Sequence, residues 1–359
     1  MKSELRFPIV LYFIWYLIIL LYQVFLQPFY ISTSESLSFY QRLYFSWVSY
    51  WDSAHYASIA AYGYKFPQQA FFPLWPLLIK IFSFLTGSAF YASFLLSFII
   101  GLLTFILFYL LATKLVGNYA KYALIFFASF PSTIFLHAGY AEGLFLTLTL
   151  LSFLLLEKKL YFLSAISAGF GSMTRIVGVA VSLVYICLKL ATYKRFTLVF
   201  ISLLGLIAYA IFLQIMFGNG FLFIDAHKAW CEVQGRCQIV FPIIPVINYT
   251  KLVLIGWVKV DLSSAFIDWF STVIFLTMLI PVFKRLKLYY FIYSLAVLLL
   301  PLSSGTLVGM IRYVLMAFPV FFVAPKVLKS KIIFFILCLL LFALELRFVT
   351  LFTNRIWVA

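Results

Sequence analysis

Charged residues are scarce in this 359-residue chain, and their scarcity excludes most fold classes. They make up 10% of the sequence, whereas hydrophobic residues make up 66%, with 44 Phe and 24 Tyr. A water-soluble domain of this length needs a more polar surface and has no core large enough for so many aromatic rings. Apolar runs of membrane-spanning length recur from residue 8 to residue 350. The sequence therefore predicts an all-α polytopic membrane protein.

Histidine and cysteine are also rare, with three and four residues. No two His residues have the HxxxH spacing of a helical metal site, so no metal ligands are predicted. Cys231 and Cys237 lie six residues apart in a predicted outer loop and can form a disulfide in an oxidising compartment. The net charge is +16, but there is no basic soluble domain, so nucleic-acid binding is not expected.

Basic clusters divide the apolar sequence into eleven predicted membrane spans within one domain, residues 1–359. The first run, Ile9 to Leu26, is longer than a usual signal-peptide core and has no clear cleavage site, so it is expected to remain as a span. The other ten predicted spans are 89–113, 120–136, 140–156, 160–173, 176–190, 196–217, 263–283, 288–303, 308–325 and 332–350. Segment 71–85 is short, with two interior prolines and a lysine, and is predicted to lie on the membrane surface or to re-enter it.

The basic residues also predict the orientation in the membrane. Fifteen of the 26 Lys and Arg residues fall in segments assigned to the cytoplasm, together with only two acidic residues. The positive-inside rule then places the N-terminus in the cytoplasm and two long loops, 28–88 and 218–262, outside. Counting 71–85 as a span would move the later basic clusters outside, against the rule. The basic face is also suited to anionic lipid headgroups.

Rare polar residues collect on this predicted outer side. Each one alone is compatible with an interfacial anchor or a helix cap. Their collection on one face instead predicts a functional cavity, because polar groups at the membrane boundary are costly. The residues are Asp52, His55, His137, Glu142, Arg175, Asp225, His227 and Arg312.

The stretch "WDSAHYASIAAYGY" (51–64) is the most unusual part of the first outer loop. A helix over 51–60 would place Asp52, His55 and Tyr56 on one face, with Trp51 at the level of the lipid headgroups. A carboxylate in that position could take a proton from a sugar or lipid hydroxyl. An alternative role for Asp52 is a helix N-cap, and the sequence leaves both roles open.

Arg175 and Arg312, on the same predicted outer side, are candidates for binding an anion. Arginine presents several N–H donors in a plane, which suits a phosphate group. A base and two phosphate-binding residues on the outer face predict group transfer from a phosphate-linked lipid donor.

Several segments that contain these residues resemble those of a known protein family. "YWDSAHYASIAAYGY" followed by "AFFPLWPLLIKIF" is similar to the signature of the PIG-V family, which contains the second mannosyltransferase of glycosylphosphatidylinositol anchor assembly and prokaryotic relatives. Four later segments, "FPSTIFLHAGYAEGLFLTLTLLSF", "GSMTRIVGV", "FGNGFLFIDAHKAW" and "RYVLMAFPVF", resemble further family elements in the expected order. The departures are Ala141 and Gly143, where Thr and Ser are usual, and His227, where Gln is more usual.

The resemblance implies a GT-C type helical bundle with a catalytic first outer loop. It implies an inverting hexosyltransferase that moves mannose from a dolichyl- or polyprenyl-phosphate donor to a lipid or glycolipid acceptor. Asp52 matches the family's loop aspartate, and Glu142 matches its second acidic position. Both are expected to be catalytic, with Asp52 as the base and Glu142 as the reserve candidate, and His55 is expected to orient the carboxylate or contact the donor. Trp51, Tyr56, His227 and Trp230 are expected in the substrate loops.

No prosthetic group is expected, and a divalent cation bound by Asp52 with the donor phosphate is left open. The expected location is the plasma membrane of a prokaryote, or the endoplasmic reticulum membrane of a eukaryote, with an extracytoplasmic site. Two alternatives stay open: a lipid or glycolipid flippase or transporter, and a non-catalytic subunit of a glycan-assembly complex. Polar residues at the outer face, rather than at broken helices in mid-membrane, favour the enzyme.

Overall fold

A computed structural model describes residues 2–26, 39–232, 239–256, 264–328 and 330–358. The regular structure of these residues is helical throughout, with seventeen α-helices joined by short turns and loops. The predicted all-α class is therefore confirmed.

The described residues of the first half of the chain form nine α-helices. They are α1 (Lys2–Leu21), α2 (Phe39–Val48), α3 (Trp51–Tyr62), α4 (Leu74–Thr86), α5 (Ala89–Val116), α6 (Ala120–Ala128), α7 (Glu142–Glu157), α8 (Tyr161–Ser172) and α9 (Val179–Ile186). A π-helical turn, Tyr22–Leu26, continues α1.

In the second half, eight more α-helices form among the residues that the structure describes. They are α10 (Thr192–Phe217), α11 (Leu222–Glu232), α12 (Ile243–Leu254), α13 (Ser264–Arg285), α14 (Leu288–Leu302), α15 (Met310–Met316), α16 (Pro319–Val327) and α17 (Lys331–Thr353).

Within the described part of the chain, five helical stretches are long and apolar enough to cross a membrane, which makes this a multi-pass membrane protein. They are Leu5–Leu26, Ala89–Ala128, Thr192–Phe217, Ser264–Arg285 and Lys331–Thr353. Helices α15 and α16 form a sixth candidate that bends by 85° between them. The predicted number of eleven spans also counts shorter helices, such as α7 and α8, and stays a prediction.

Helix α4 covers most of the segment predicted to lie on the membrane surface or to re-enter it. Its 13 residues extend about 20 Å at 1.5 Å per residue, which is less than the ~30 Å thickness of the hydrocarbon layer. Its length therefore agrees with the prediction that 71–85 does not span. Its first turn is anchored by the backbone: Leu74 N donates to the carbonyl oxygen of Met173 at 3.1 Å.

Glycines bring the backbones of α8 and α10 into direct contact. A Cβ atom on Gly205 would lie 2.1 Å from the carbonyl oxygen of Gly169, and one on Gly169 would lie 2.8 Å from the carbonyl oxygen of Ile201. Small residues allow this close approach in membrane helices, where van der Waals packing drives association. The contact fixes the end of α8, from which the chain continues to Arg175.

The two ends of the chain lie at opposite ends of the bundle. Phe7 packs against Tyr109 near the C-terminus of α5, with ring centroids 5.4 Å apart. Trp357 packs against Trp51, whose neighbour Ser53 lies beside the turn at Gly139 and the first turns of α5. Tyr109 and Ser93, which contact these two regions, are 16 residues apart on α5, about 24 Å along the helix axis.

Candidate functional site

Asp52 lies in the first turn of α3, and its carboxylate points away from the helix backbone. The N-cap of α3 is Tyr50, which makes no side-chain capping bond. Instead of capping, Asp52 Oδ2 accepts a hydrogen bond from Arg312 Nη2 at 2.6 Å, and 21% of its side chain is exposed. The N-cap interpretation of Asp52 is therefore wrong. Asp52 lies inside α3 rather than before its first residue, and its carboxylate binds Arg312, which is on another helix.

Glu142 is the first residue of α7 and is fully buried. The turn before it needs Gly139, which has φ +70. A Cβ there would lie 2.7 Å from Ser93 Oγ and 3.2 Å from Ser53 Cβ, so a side chain would be both strained and crowded. The carbonyl oxygen of Gly139 accepts a hydrogen bond from Trp75 Nε1 at 2.8 Å. This turn places the start of α7 against α3 and α5.

The two arginines converge on the same carboxylate. Glu142 Oε1 is 2.7 Å from Arg312 Nε and 2.6 Å from Arg175 Nη1. Because Arg312 also binds Asp52, the four charged side chains form one connected network. Their order is Asp52, Arg312, Glu142, Arg175, and they come from α3, α15, α7 and the turn that follows α8.

Aromatic rings cover the faces of both guanidinium groups. Arg312 lies over Tyr140 and Phe135, with Cζ 4.7 Å and 5.3 Å from the ring centroids. Arg175 lies over Tyr313 at 5.1 Å. Cation–π contacts of this kind stabilise a desolvated cation and hold the planar group in one orientation. The side chains of Arg312 and Arg175 are only 9% and 11% exposed.

The formal charges of the network sum to zero, because two carboxylates face two guanidinium groups. The two carboxylates accept hydrogen bonds from only some of the N–H groups of the two arginines. Arg312 bonds through Nε and Nη2, and Arg175 through Nη1. Among the described residues, Arg312 Nη1 has no protein acceptor, so it has a donor left for a bound anion.

A cavity of about 400 Å³ opens next to this network, and Arg312 is part of its wall. Most of the lining is apolar, from the turn before α9 and from α11, α14 and α15. The polar groups in the wall are those of His227, Trp230, Ser303, Ser304, Thr306, Arg312 and Tyr313. An apolar cavity with a few polar groups at one side is suited to an amphipathic small molecule.

Two of the residues predicted for the substrate loops, His227 and Trp230, line this cavity. Both are on α11, and Trp230 is held in place because its Nε1 donates to the carbonyl oxygen of Pro67 at 2.8 Å. Burial lowers the pKa of His227 from its ordinary value, so the ring is neutral at pH 7.

Comparison with known proteins finds one informative similarity. The chain is similar to a mannosyltransferase. It is 27% identical over 220 residues to "GPI mannosyltransferase 2" of Schizosaccharomyces pombe (strain 972 / ATCC 24843), an alignment that covers 57% of this chain and 46% of that protein. The chain thus spans about half the length of the curated relative it matches.

The other two comparisons add no match: no protein-family profile and no solved structure matches the chain. The similarity supports a distant relationship to proteins of the PIG-V type and no finer assignment. The GT-C bundle and the prokaryotic origin implied by the sequence motifs stay predictions.

His55, predicted to orient Asp52 or to contact the donor, lies in an aromatic cluster. Its ring stacks on Phe71 with centroids 5.1 Å apart and meets Trp230 edge-to-face at 4.9 Å. Burial lowers its pKa, an effect that the Asp52 carboxylate partly opposes. His55 therefore connects α3 to the Trp230 side of the cavity as a neutral ring at neutral pH.

The other two residues predicted for the substrate loop lie behind the cavity. Tyr56 is buried and packs edge-to-face on Phe71, with ring centroids 5.1 Å apart. Trp51 has φ +54, an uncommon conformation for a bulky residue, and packs against Trp357 rather than lining the cavity itself. These contacts indicate that both side chains hold other residues of the site in position. Contact of either one with the substrate stays a prediction.

The remaining predictions concern cysteines and metals. The predicted disulfide between Cys231 and Cys237 falls outside the described residues. Within the described ranges, no group of three or more His, Cys, Asp or Glu residues is placed to hold a metal ion. A cation bound jointly by Asp52 and a donor phosphate remains a prediction.

Asp268 is a buried residue near the site that sequence reasoning missed. Its carboxylate oxygens accept backbone hydrogen bonds from Gly309 N at 3.0 Å and Ile311 N at 2.8 Å. These amides flank the start of α15, which carries Arg312. A single carboxylate inside an apolar span is unusual, and that signal was available in the sequence.

Proposed function

We propose that this protein is a membrane glycosyltransferase. It moves a mannose or a related hexose from a polyprenyl- or dolichyl-phosphate donor to a lipid or glycolipid acceptor, on the extracytoplasmic face. The observation that carries the proposal is the convergence of Asp52, Arg312, Glu142 and Arg175 beside a cavity of about 400 Å³. The distant similarity to a protein named GPI mannosyltransferase 2 gives independent support.

The two carboxylates suit different roles because their exposure differs. Asp52 is 21% exposed and is bonded on one oxygen, so its other oxygen is the one that would accept a proton from an incoming hydroxyl. Glu142 is fully buried between two arginines and would hold them in position. Asp52 is therefore the proposed general base, and Glu142 a positioning residue.

The proposed reaction is a single displacement with inversion. The acceptor hydroxyl oxygen forms a bond to C1 of the donor sugar while the bond from C1 to the phosphate oxygen breaks. The electron pair of that bond leaves with the polyprenyl phosphate, and the hydroxyl proton passes to Asp52. In this proposal Arg312 Nη1, supported by Arg175, neutralises the charge that develops on the leaving phosphate.

The shape of the cavity supports a lipid-linked donor. Its aliphatic lining, from residues such as Ile176, Leu300 and Met310, is suited to the first isoprene units of a polyprenyl chain. Its polar side at Arg312 would take the phosphate. In this reaction no prosthetic group is used.

The test measures the transfer of sugar by the purified protein. Radiolabelled polyprenyl-phosphate mannose and extracted cell lipids are added to the protein in detergent, and product lipids are separated and counted. The proposal expects label in an acceptor lipid without any membrane potential or sealed vesicle. No transfer in detergent, together with movement of labelled donor across sealed liposomes, would support the flippase alternative instead.

A further inference from the structure

The segment 354–358, which follows α17, folds back onto the loop that carries Asp52. Asn354 Nδ2 donates to the carbonyl oxygen of Thr350 at 2.7 Å, and Arg355 has φ +63, so the chain turns sharply after the helix. The guanidinium of Arg355 lies 4.4 Å from the ring centroid of Tyr50, and Val358 is buried. These contacts hold the segment against the start of α3.

The contacts of Trp357 link this segment to the cavity. Its ring meets Trp51 edge-to-face, with centroids 5.0 Å apart and an interplanar angle of 72°. Trp357 is also part of the wall of the cavity that Arg312 and Trp230 line. Trp357 therefore connects the cavity wall to the first turn of α3, in which Trp51 directly precedes Asp52.

We propose that Trp357 contacts the hexose that is transferred, which brings one residue from beyond α17 into the substrate site. The inference rests on the proposed function and deepens it. The sugar of a donor whose phosphate is bound by Arg312 would lie in the cavity that both Arg312 and Trp357 line. An indole in that wall presents an apolar face to the C–H groups of a pyranose ring, whereas the aliphatic lining faces the lipid.

The chemistry predicts a contact with the sugar and none with the lipid phosphate. Trp357→Ala is expected to raise the KM for polyprenyl-phosphate mannose about tenfold. Inhibition by polyprenyl phosphate, which lacks the sugar, should be unchanged. Trp357→Phe keeps an aromatic face and should recover most of the loss.

Ile356→Ala is the matched control, because Ile356 is in the same segment and 44% exposed but does not line the cavity. It should have the wild-type KM. The thermal unfolding midpoint of each variant is measured in parallel, so that a loss of folding is separated from a loss of substrate contact.

The outcomes separate this inference from the proposed function. If the wild-type protein transfers no sugar, the proposed function fails, and the inference fails with it. If the wild type is active and Trp357→Ala behaves like Ile356→Ala, only the role of Trp357 is overturned. An equal weakening of donor binding and of inhibition by polyprenyl phosphate would also overturn it, because a sugar contact does not affect a ligand without sugar.

Discussion

Glu142 is the residue on which the electrostatics of the site depend. It is fully buried, and both arginines share its Oε1 atom. Replacing it with Gln leaves two buried cations opposed by Asp52 alone. Removing one member of a buried ion pair costs about 3–5 kcal/mol, so we expect Glu142→Gln to lower the thermal unfolding midpoint as well as the activity.

Asp225→Asn is the control for this prediction. Asp225 is a half-exposed carboxylate on α11 with a surface partner, Lys228, at 3.7 Å. Exposed pairs contribute about 0–1 kcal/mol, so this variant should unfold at the wild-type temperature. If both variants are equally stable, Glu142 does not hold the arginines.

The two arginines are expected to differ in their kinetic roles. Arg175 contacts only Glu142 among the carboxylates, whereas Arg312 also binds Asp52. A charge-assisted hydrogen bond contributes about 1.5–3 kcal/mol, so Arg175→Gln should raise the KM for the donor about tenfold or more. Arg312→Gln should also lower kcat, because it releases the proposed base.

Initial rates over a range of donor concentrations separate these effects. Lys228→Gln, which removes an exposed cation from α11, is the control and should leave both constants unchanged. Wild-type donor dependence in both arginine variants would remove the arginines from the phosphate site.

For single residues, the sequence was sufficient to identify the charged members of the site but not their partners. Asp52, Glu142, Arg175 and Arg312 are conspicuous because so few residues are charged. Their pairing depends on contacts between residues up to 260 positions apart, which no local pattern encodes. For the same reason Tyr140, which covers the Arg312 guanidinium, was not predicted.

Among the helices, the packing of α13 against α15 determines where Arg312 points. Asp268 on α13 accepts hydrogen bonds from Gly309 N and Ile311 N at the start of α15. Asp268→Ala would leave these buried N–H groups without an acceptor, at about 1–3 kcal/mol each. We expect it to lower both the unfolding midpoint and kcat, and Asp268→Asn, which keeps one acceptor oxygen, to lie between Ala and wild type.

Thr277→Ala tests whether any change in α13 has this effect. Thr277 is exposed on the same helix and bonds only within it, to the carbonyl oxygen of Ile274. It should have wild-type kcat. If Asp268→Ala has wild-type kcat too, α15 keeps its position without the carboxylate.

Helix type followed from the sequence more readily than helix ends did. Apolar composition was sufficient to predict helices in the membrane, and the helix predicted over 51–60 forms as α3. The 85° bend between α15 and α16 divides the predicted span 308–325. Pro319 is the first residue of α16, but a proline alone does not specify the angle between the two helices.

For the whole molecule, the positions of the two chain ends bear on the orientation in the membrane. Phe7 and Trp357 lie at opposite ends of the bundle, as an odd number of crossings requires. The distribution of basic residues predicts a cytoplasmic N-terminus. We therefore expect a C-terminal reporter that is active only in the cytoplasm to be silent, and an N-terminal one to be active. An active C-terminal reporter would mean an even number of spans.

The proton-accepting role of Asp52 is the central claim, and one comparison tests it most directly. Transfer of radiolabelled mannose from polyprenyl-phosphate mannose is measured for purified wild type, Asp52→Asn and Asp225→Asn. Asn keeps the shape of Asp52 but takes no proton, and general base catalysis contributes about 10²–10⁴-fold. The account predicts that Asp225→Asn transfers at the wild-type rate, whereas Asp52→Asn is folded and transfers at least about a hundredfold more slowly. A wild-type rate for Asp52→Asn would contradict it.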